Sequence, residues 1–293
     1  MRILIAGQAK TGTTALLSKI KNSLDDPRVL FEPKRYEPDS SRTWSFEIAK
    51  ILLSHYHGVD YNSFEPFEKK IIIVRDPRDR LISLILYSVR HSKFYNNKVK
   101  LNKFVSLLKE KEANPKSVPV SQVIALHDEL NQKPSGTLLQ TFMEEEKFTL
   151  DFHSRHLEYF VVRYEDFVDG KTEALANYVG FSLSGDAIVD PHVTRVVRTK
   201  GYGSWKHWFT ASDCEEFKTI MENYLDRYSY SLDWELAEKP VINAAHSSEY
   251  VIRLANEKIK EDERALESPT KTKFTSSIKS YLKWRLNKLL GHL

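Results

Sequence analysis

The chain carries one cysteine, Cys214, among 293 residues. No internal disulfide can form, and a reducing compartment is expected. It has no run near the roughly 18 to 20 apolar residues of a membrane-spanning helix. The apolar stretch Ile3 to Ala6 is strand-sized and leads straight into glycine, without the basic segment and longer apolar core of a secretory signal. A cytoplasmic location is the expectation. Charge bias is also missing: 44 Lys and Arg against 40 Asp and Glu leave a net charge of +4, too little to argue for a nucleic-acid partner. Only the tail lacks one sign altogether, having lysines and an arginine but no Asp or Glu from Thr270 onward.

What is present fits a globular domain, with 41% hydrophobic and 12% aromatic residues available for a core. "MRILIAG" reads as a strand, and Thr13 to Asn22 as a helix ended by Asp25-Asp26-Pro27. "RVLFE" reads as a strand stopped by Pro33, and the run Ile71 to Val74 in "KKIIIVRDP" as one buried on both faces of a parallel sheet. "TWSFEIAKILL" fits helix or strand. A helix follows Pro77 through "RDRLISLILYSVRH", and residues 92–154 read as a helical insertion on the acceptor side. "EYFVVRYEDF" reads as a strand, with the helix "KTEALANYVGF" behind it. Strands alternating with helices predict an α/β fold around a mostly parallel sheet, with ligands at the carboxyl ends of its strands.

Three motifs sit at those ends. Gly7 to Thr14 matches a Walker A frame except that Thr13 occupies the lysine position and the lysine stands upstream at Lys10. A glycine loop feeding a helix offers backbone N–H groups and the positive end of the dipole to an anion. Alternatively it is a tight turn capped by Thr13 or Thr14. In "VRDPRDRLISL", Arg75 leaves the buried strand and Ser83 follows two helical turns on, a guanidinium and a hydroxyl suited to a second anionic group. The alternative pairs Arg75 with Asp76 at the surface. The third motif, "RTKGYGSWKHWFT", gathers Arg198, Lys200, Gly201, Gly203 and two tryptophans.

At these residues the sequence resembles the sulfotransferases that use 3'-phosphoadenosine 5'-phosphosulfate (PAPS). "AKTGTT" is similar to their 5'-phosphosulfate loop, "VRDPRDRLIS" to their 3'-phosphate motif, and "TKGYGSWKHWFT" to the segment that closes over the nucleotide. "VRYEDF" resembles their "YED" strand. The motifs follow the family's order over roughly residues 1–210. The resemblance implies that Lys10, Thr11, Gly12, Thr13 and Thr14 hold the 5'-phosphosulfate. Arg75 and Ser83 would hold the 3'-phosphate with Arg198, Lys200 and Gly201, and Tyr164 would lie near the adenine. Thr199 stands where the family pattern has arginine, so that either Arg198 takes over that role or the 3'-phosphate is held less tightly. A triphosphatase needs the lysine after the glycine and an acid after the buried strand for Mg²⁺, whereas sulfuryl transfer needs no metal, so none is expected here.

An acceptor hydroxyl requires a general base. Glu32, ending "RVLFEP", is the first choice, because the resemblance to carbohydrate sulfotransferases implies a glutamate after this strand. His55 and His57 in "SHYHG" are the alternatives. Lys50 could neutralise the transferring group or solvate a strand end, and Glu144, Glu145 and Glu146 read as a solvated helix face. In the tail, Ile278, Tyr281, Leu282, Leu286 and Leu289 fall on one helical face, with lysines away from it. Residues 274–293 could thus lie on an anionic membrane surface, or pack back on the domain.

The expectation is a P-loop-type sulfotransferase domain over residues 1–240 and a helical extension over 241–293. The acceptor would be a hydroxyl of a carbohydrate or glycolipid. The rivals are a Mg²⁺-dependent nucleotide or small-molecule kinase and a non-catalytic nucleotide-binding or membrane-surface module.

Overall fold

The computed structural model describes residues 1–189 and 198–267. Five parallel strands form one sheet in the order β2-β3-β1-β4-β5. They are β1 (Arg2–Gly7), β2 (Arg28–Phe31), β3 (Glu47–Leu52), β4 (Lys69–Val74) and β5 (Phe160–Arg163). The ambiguous segment "TWSFEIAKILL" is therefore the strand β3, in register with β1 from Arg2 opposite Glu47 to Gly7 opposite Leu52.

Helices cover both faces. Ile3, Ile5, Ile71 and Ile73 point to a smaller core shared with α1 (Thr13–Lys21), α6 (Tyr164–Val168) and α7 (Glu173–Val179). The alternate residues Leu4, Ala6, Ile72 and Val74 point to a larger core. That core is completed by α2 (Pro77–Ser88), α3 (Lys98–Ala113), α4 (Val120–Leu130) and α5 (Thr137–Arg155), and by α8 (Trp205–Trp208), α9 (Ala211–Arg227) and α10 (Ser248–Glu267). None of the described helices is long and apolar enough to cross a membrane.

The chain leaves β1 for strands on one side and β4 for the strand on the other, and α1 and α2 lie on opposite faces. The crevice beyond the ends of β1 and β4 is thus the topological switch point, where parallel α/β sheets bind ligands.

Two element boundaries differ from the sequence reading. "YED" is not strand: β5 stops at Arg163 and Tyr164 opens α6. Glu165 there accepts the Asp76 backbone N–H at 3.0 Å and the Tyr230 hydroxyl at 2.8 Å, bonds that tie this turn to the loop after the neighbouring strand β4 and to the segment after residue 227. Strand β2 ends at Phe31, and Glu32 turns the chain with φ of +53°. The tail calls on residues 274–293 lie outside the described residues.

Candidate functional site

The loop after β1 is built around Gly12, which caps α1 with φ of +94° and no side-chain cap. The capped-turn alternative through Thr13 or Thr14 is therefore not what forms. A Cβ on Gly12 would fall 2.5 Å from Cδ2 of Tyr164, so the glycine is required by conformation and by contact. Thr11, Thr13 and Thr14 are buried in the turn, Thr11 donating its hydroxyl to the Gln8 carbonyl at 2.8 Å. Lys10 adopts φ of +72° and lays its ammonium 4.1 Å from the centre of the Tyr87 ring on α2.

Arg75 enters the same crevice from β4. It is buried, donates to the carbonyls of Lys10 at 3.1 Å and Gly201 at 3.4 Å, and stacks 4.4 Å from the Tyr164 ring. No Arg75–Asp76 ion pair forms, because Asp76 is held by Arg78 instead. Arg198 is also buried, donating to the His246 carbonyl at 3.2 Å and to Ser204 Oγ at 3.3 Å. The Nε atoms of Arg75 and Arg198 are buried with no partner among the described residues.

This clustering carries an electrostatic signature. Burial and the positive charges of Arg75, Arg198, Arg253 and Lys50 hold Lys10 well below its ordinary value. Burial and Arg75 push Arg198 down to about 10. Like charges gathered out of water disfavour one another, and an anion between them reverses that cost. The orphaned Nε atoms and the uncapped start of α1 fit a phosphate or sulfate ester.

The other expected residues are spread more widely. Ser83 is buried one turn beyond Asp79 on α2 and hydrogen-bonds to none of these groups. Lys200 is exposed, while Gly201 reaches Arg75 through its carbonyl. Strand β2 does not adjoin β1, because β3 lies between them, so Glu32 does not follow a strand next to β1. It is linked to the site by a salt bridge to Lys50, which is buried in β3 and also lies 4.5 Å from the Phe31 ring. Lys50 therefore does not solvate a strand end. The segment from His55 to His57 forms one 3-10 turn after β3, where Ser54 caps the Tyr56 N–H.

Several site-building residues escape sequence reasoning. Asp79, fully buried, accepts the Gly203 N–H, the Ser204 hydroxyl at 2.7 Å and the Trp205 N–H at 3.1 Å, clamping the late loop onto α2. Arg78 stacks 4.0 Å from the Trp205 ring and donates to the carbonyls of Ser231 and Asp233. The acidic run on α5 is no solvated face: buried Arg80 binds Glu146 at 2.7 Å and Glu145 at 3.0 Å, and holds the Ala9 carbonyl of the glycine loop at 3.3 Å. Glu144 accepts the Tyr56 hydroxyl. The available signal was the charge density of "RDPRDR" at the start of an otherwise apolar helix.

No protein-family model and no curated protein sequence matches the chain. Among solved structures, the chain is similar to a mouse sulfotransferase, SULT7A1, complexed with PAP. The match has 14% identity, covers 76% of this chain and 84% of that one, and has a TM-score of 0.42. At that level of similarity, every residue assignment rests on the geometry of this chain.

Proposed function

We propose that the protein transfers a sulfuryl group from PAPS to a hydroxyl of a carbohydrate or glycolipid in the cytoplasm. The observation that carries this reading is the convergence of Lys10, Arg75 and Arg198 at the switch point of the sheet, with two guanidinium Nε atoms orphaned there. The donor set favours sulfuryl over phosphoryl transfer from a metal nucleotide. The acid that follows β4, Asp76, has both oxygens engaged by Arg78, and the position after the glycine that a triphosphatase fills with lysine is Thr13.

In this reading, Arg75, Arg198 and Gly201 hold the 3'-phosphate side, with Ser83 and Lys200 at its margin. Residues Lys10 to Thr14 hold the 5' side, and Tyr164 borders the adenine. The donor supplies an activated sulfur. An acceptor oxygen bonds to it as its bond to the 5'-phosphate oxygen breaks. Lys10 neutralises the charge that develops on that leaving oxygen. Glu32 takes the acceptor proton, its carboxylate held in place by Lys50; His55 or His57 are the substitutes for this role.

Calorimetric binding of 3'-phosphoadenosine 5'-phosphate, ADP and ATP, each with and without Mg²⁺, tests the donor. Metal-independent preference for the 3'-phosphorylated nucleotide is expected. Preference for Mg-ATP would overturn the reading in favour of a kinase.

A further inference from the structure

Three consecutive carbonyls of the glycine loop each have a holder. The Gln8 carbonyl accepts the Thr11 hydroxyl at 2.8 Å and the Thr11 N–H at 3.4 Å. The Ala9 carbonyl accepts a hydrogen bond from Arg80 Nη1 at 3.3 Å, and the Lys10 carbonyl one from Arg75 Nη1 at 3.1 Å. The peptide groups on the two sides of the Lys10 Cα are thus gripped by two different guanidiniums. Because each peptide is a rigid plane, fixing both planes fixes φ and ψ of the residue between them. That residue sits at φ of +72°, a region that residues other than glycine rarely enter.

Of the two holders, Arg75 lies in the anion crevice, whereas Arg80 is fully buried and out of reach of a ligand. Its guanidinium lies 4.5 Å from the Phe142 ring. Glu146 accepts from its Nε at 2.7 Å, and Glu145 from its Nη1 at 3.0 Å. Two neighbouring carboxylates of α5 therefore aim the fork, and the fork holds the loop. Meeting three acceptors from two nitrogens of one plane is a task for arginine that lysine cannot repeat.

We propose that Arg80 is a positioning residue for transfer: oriented by Glu145 and Glu146, it fixes the left-handed turn at Lys10 and so keeps the Lys10 ammonium at the 5' end of the donor. This rests on the sulfotransferase reading, in which Lys10 meets the 5' group. Without the bond to Ala9, the peptide before Lys10 can rotate, and the residue relaxes toward the commoner backbone regions with its side chain turned away.

The test is a double-mutant cycle read by calorimetry. Wild type, Arg80→Lys, Lys10→Met and the double variant are each titrated with 3'-phosphoadenosine 5'-phosphate and with adenosine 3'-phosphate, which lacks the 5' group. Arg80→Lys is expected to weaken the first compound by roughly threefold to tenfold, the loss of one hydrogen bond, and to leave the second unchanged. In the Lys10→Met background the same substitution should cause no further loss, because the ammonium it positions is gone. Equal losses for both compounds, equal losses in both backgrounds, or no loss at all overturns the inference. Glu145→Gln, at a side chain at the edge of the cluster, should repeat the pattern with a smaller loss, and it decides the matter if Arg80→Lys does not fold. Wild type that binds neither compound overturns the sulfotransferase reading instead, and the inference with it.

Discussion

Lys10 combines a left-handed backbone with an ammonium that burial and its cationic neighbours hold below the ordinary lysine value of 10.5. An anion bound beside it favours the charged form, so its proton affinity rises on binding. Between the two values the complex holds one more proton than the free protein, and apparent nucleotide affinity falls as pH rises through that window. Calorimetry in two buffers of different ionisation enthalpy should therefore report proton uptake, and Lys10→Met should abolish it. Absence of buffer dependence in wild type would show that Lys10 is not at the anion. Glu32→Gln is expected to leave nucleotide affinity intact and abolish transfer; retained turnover would move the base to His55 or His57. Gly12→Ala meets both a positive φ and the Tyr164 ring, and should cost about 1–3 kcal/mol in denaturant unfolding.

Among the elements, the late loop depends on α2 through one carboxylate. Asp79→Asn keeps the shape but removes the charge that holds two N–H groups and a hydroxyl of residues 203–205. Nucleotide affinity should fall by about tenfold, and amides of the loop should exchange faster with solvent. Unchanged exchange would mean that the tryptophan packing alone holds the loop. The glycine turn, the buried strand before Arg75 and the late basic loop are legible in the sequence because each is a local pattern of a few residues. Asp79 and Arg80 are not, because their partners lie 124 and 66 residues away, and nothing local separates a clamp from a solvated charge. Glu146 shows the same limit. It reads as surface acid, yet burial pushes it up to about 7 beside Arg80. The end of β5 at Arg163 is likewise set by distant bonds from Asp76 and Tyr230 to Glu165.

Across the whole molecule, the same packing makes stability depend on pH through a group away from the site. His127 is buried between Phe94 and Phe104, hydrogen-bonds Ser88 at 2.8 Å and lies 3.7 Å from Asp128. Burial lowers it from 6.5 to about 4. Between those values the unfolded chain binds the extra proton, so this contribution to stability is present above 6.5 and is lost as pH falls toward 4. Denaturant titrations across that range should show the slope in wild type and a flatter one in His127→Gln. An equal slope would assign the acid sensitivity elsewhere. The α/β class follows from the alternation of apolar runs and amphipathic segments, but the docking of α10 does not, since its buried stripe alone does not say which surface receives it.

The opening turn of α2 joins separate parts of the chain: Arg78 to residues 231–233, Asp79 to residues 203–205, and Arg80 to the glycine loop and α5. Such a turn behaves as a shared keystone for inheritance as well as for packing. A change at one of its positions alters a region whose own sequence is untouched, so neutral drift here must proceed by paired substitutions far apart in the gene. A library that randomises only this turn should return almost nothing but the parental residues, whereas one that also varies the distant partners should recover new combinations.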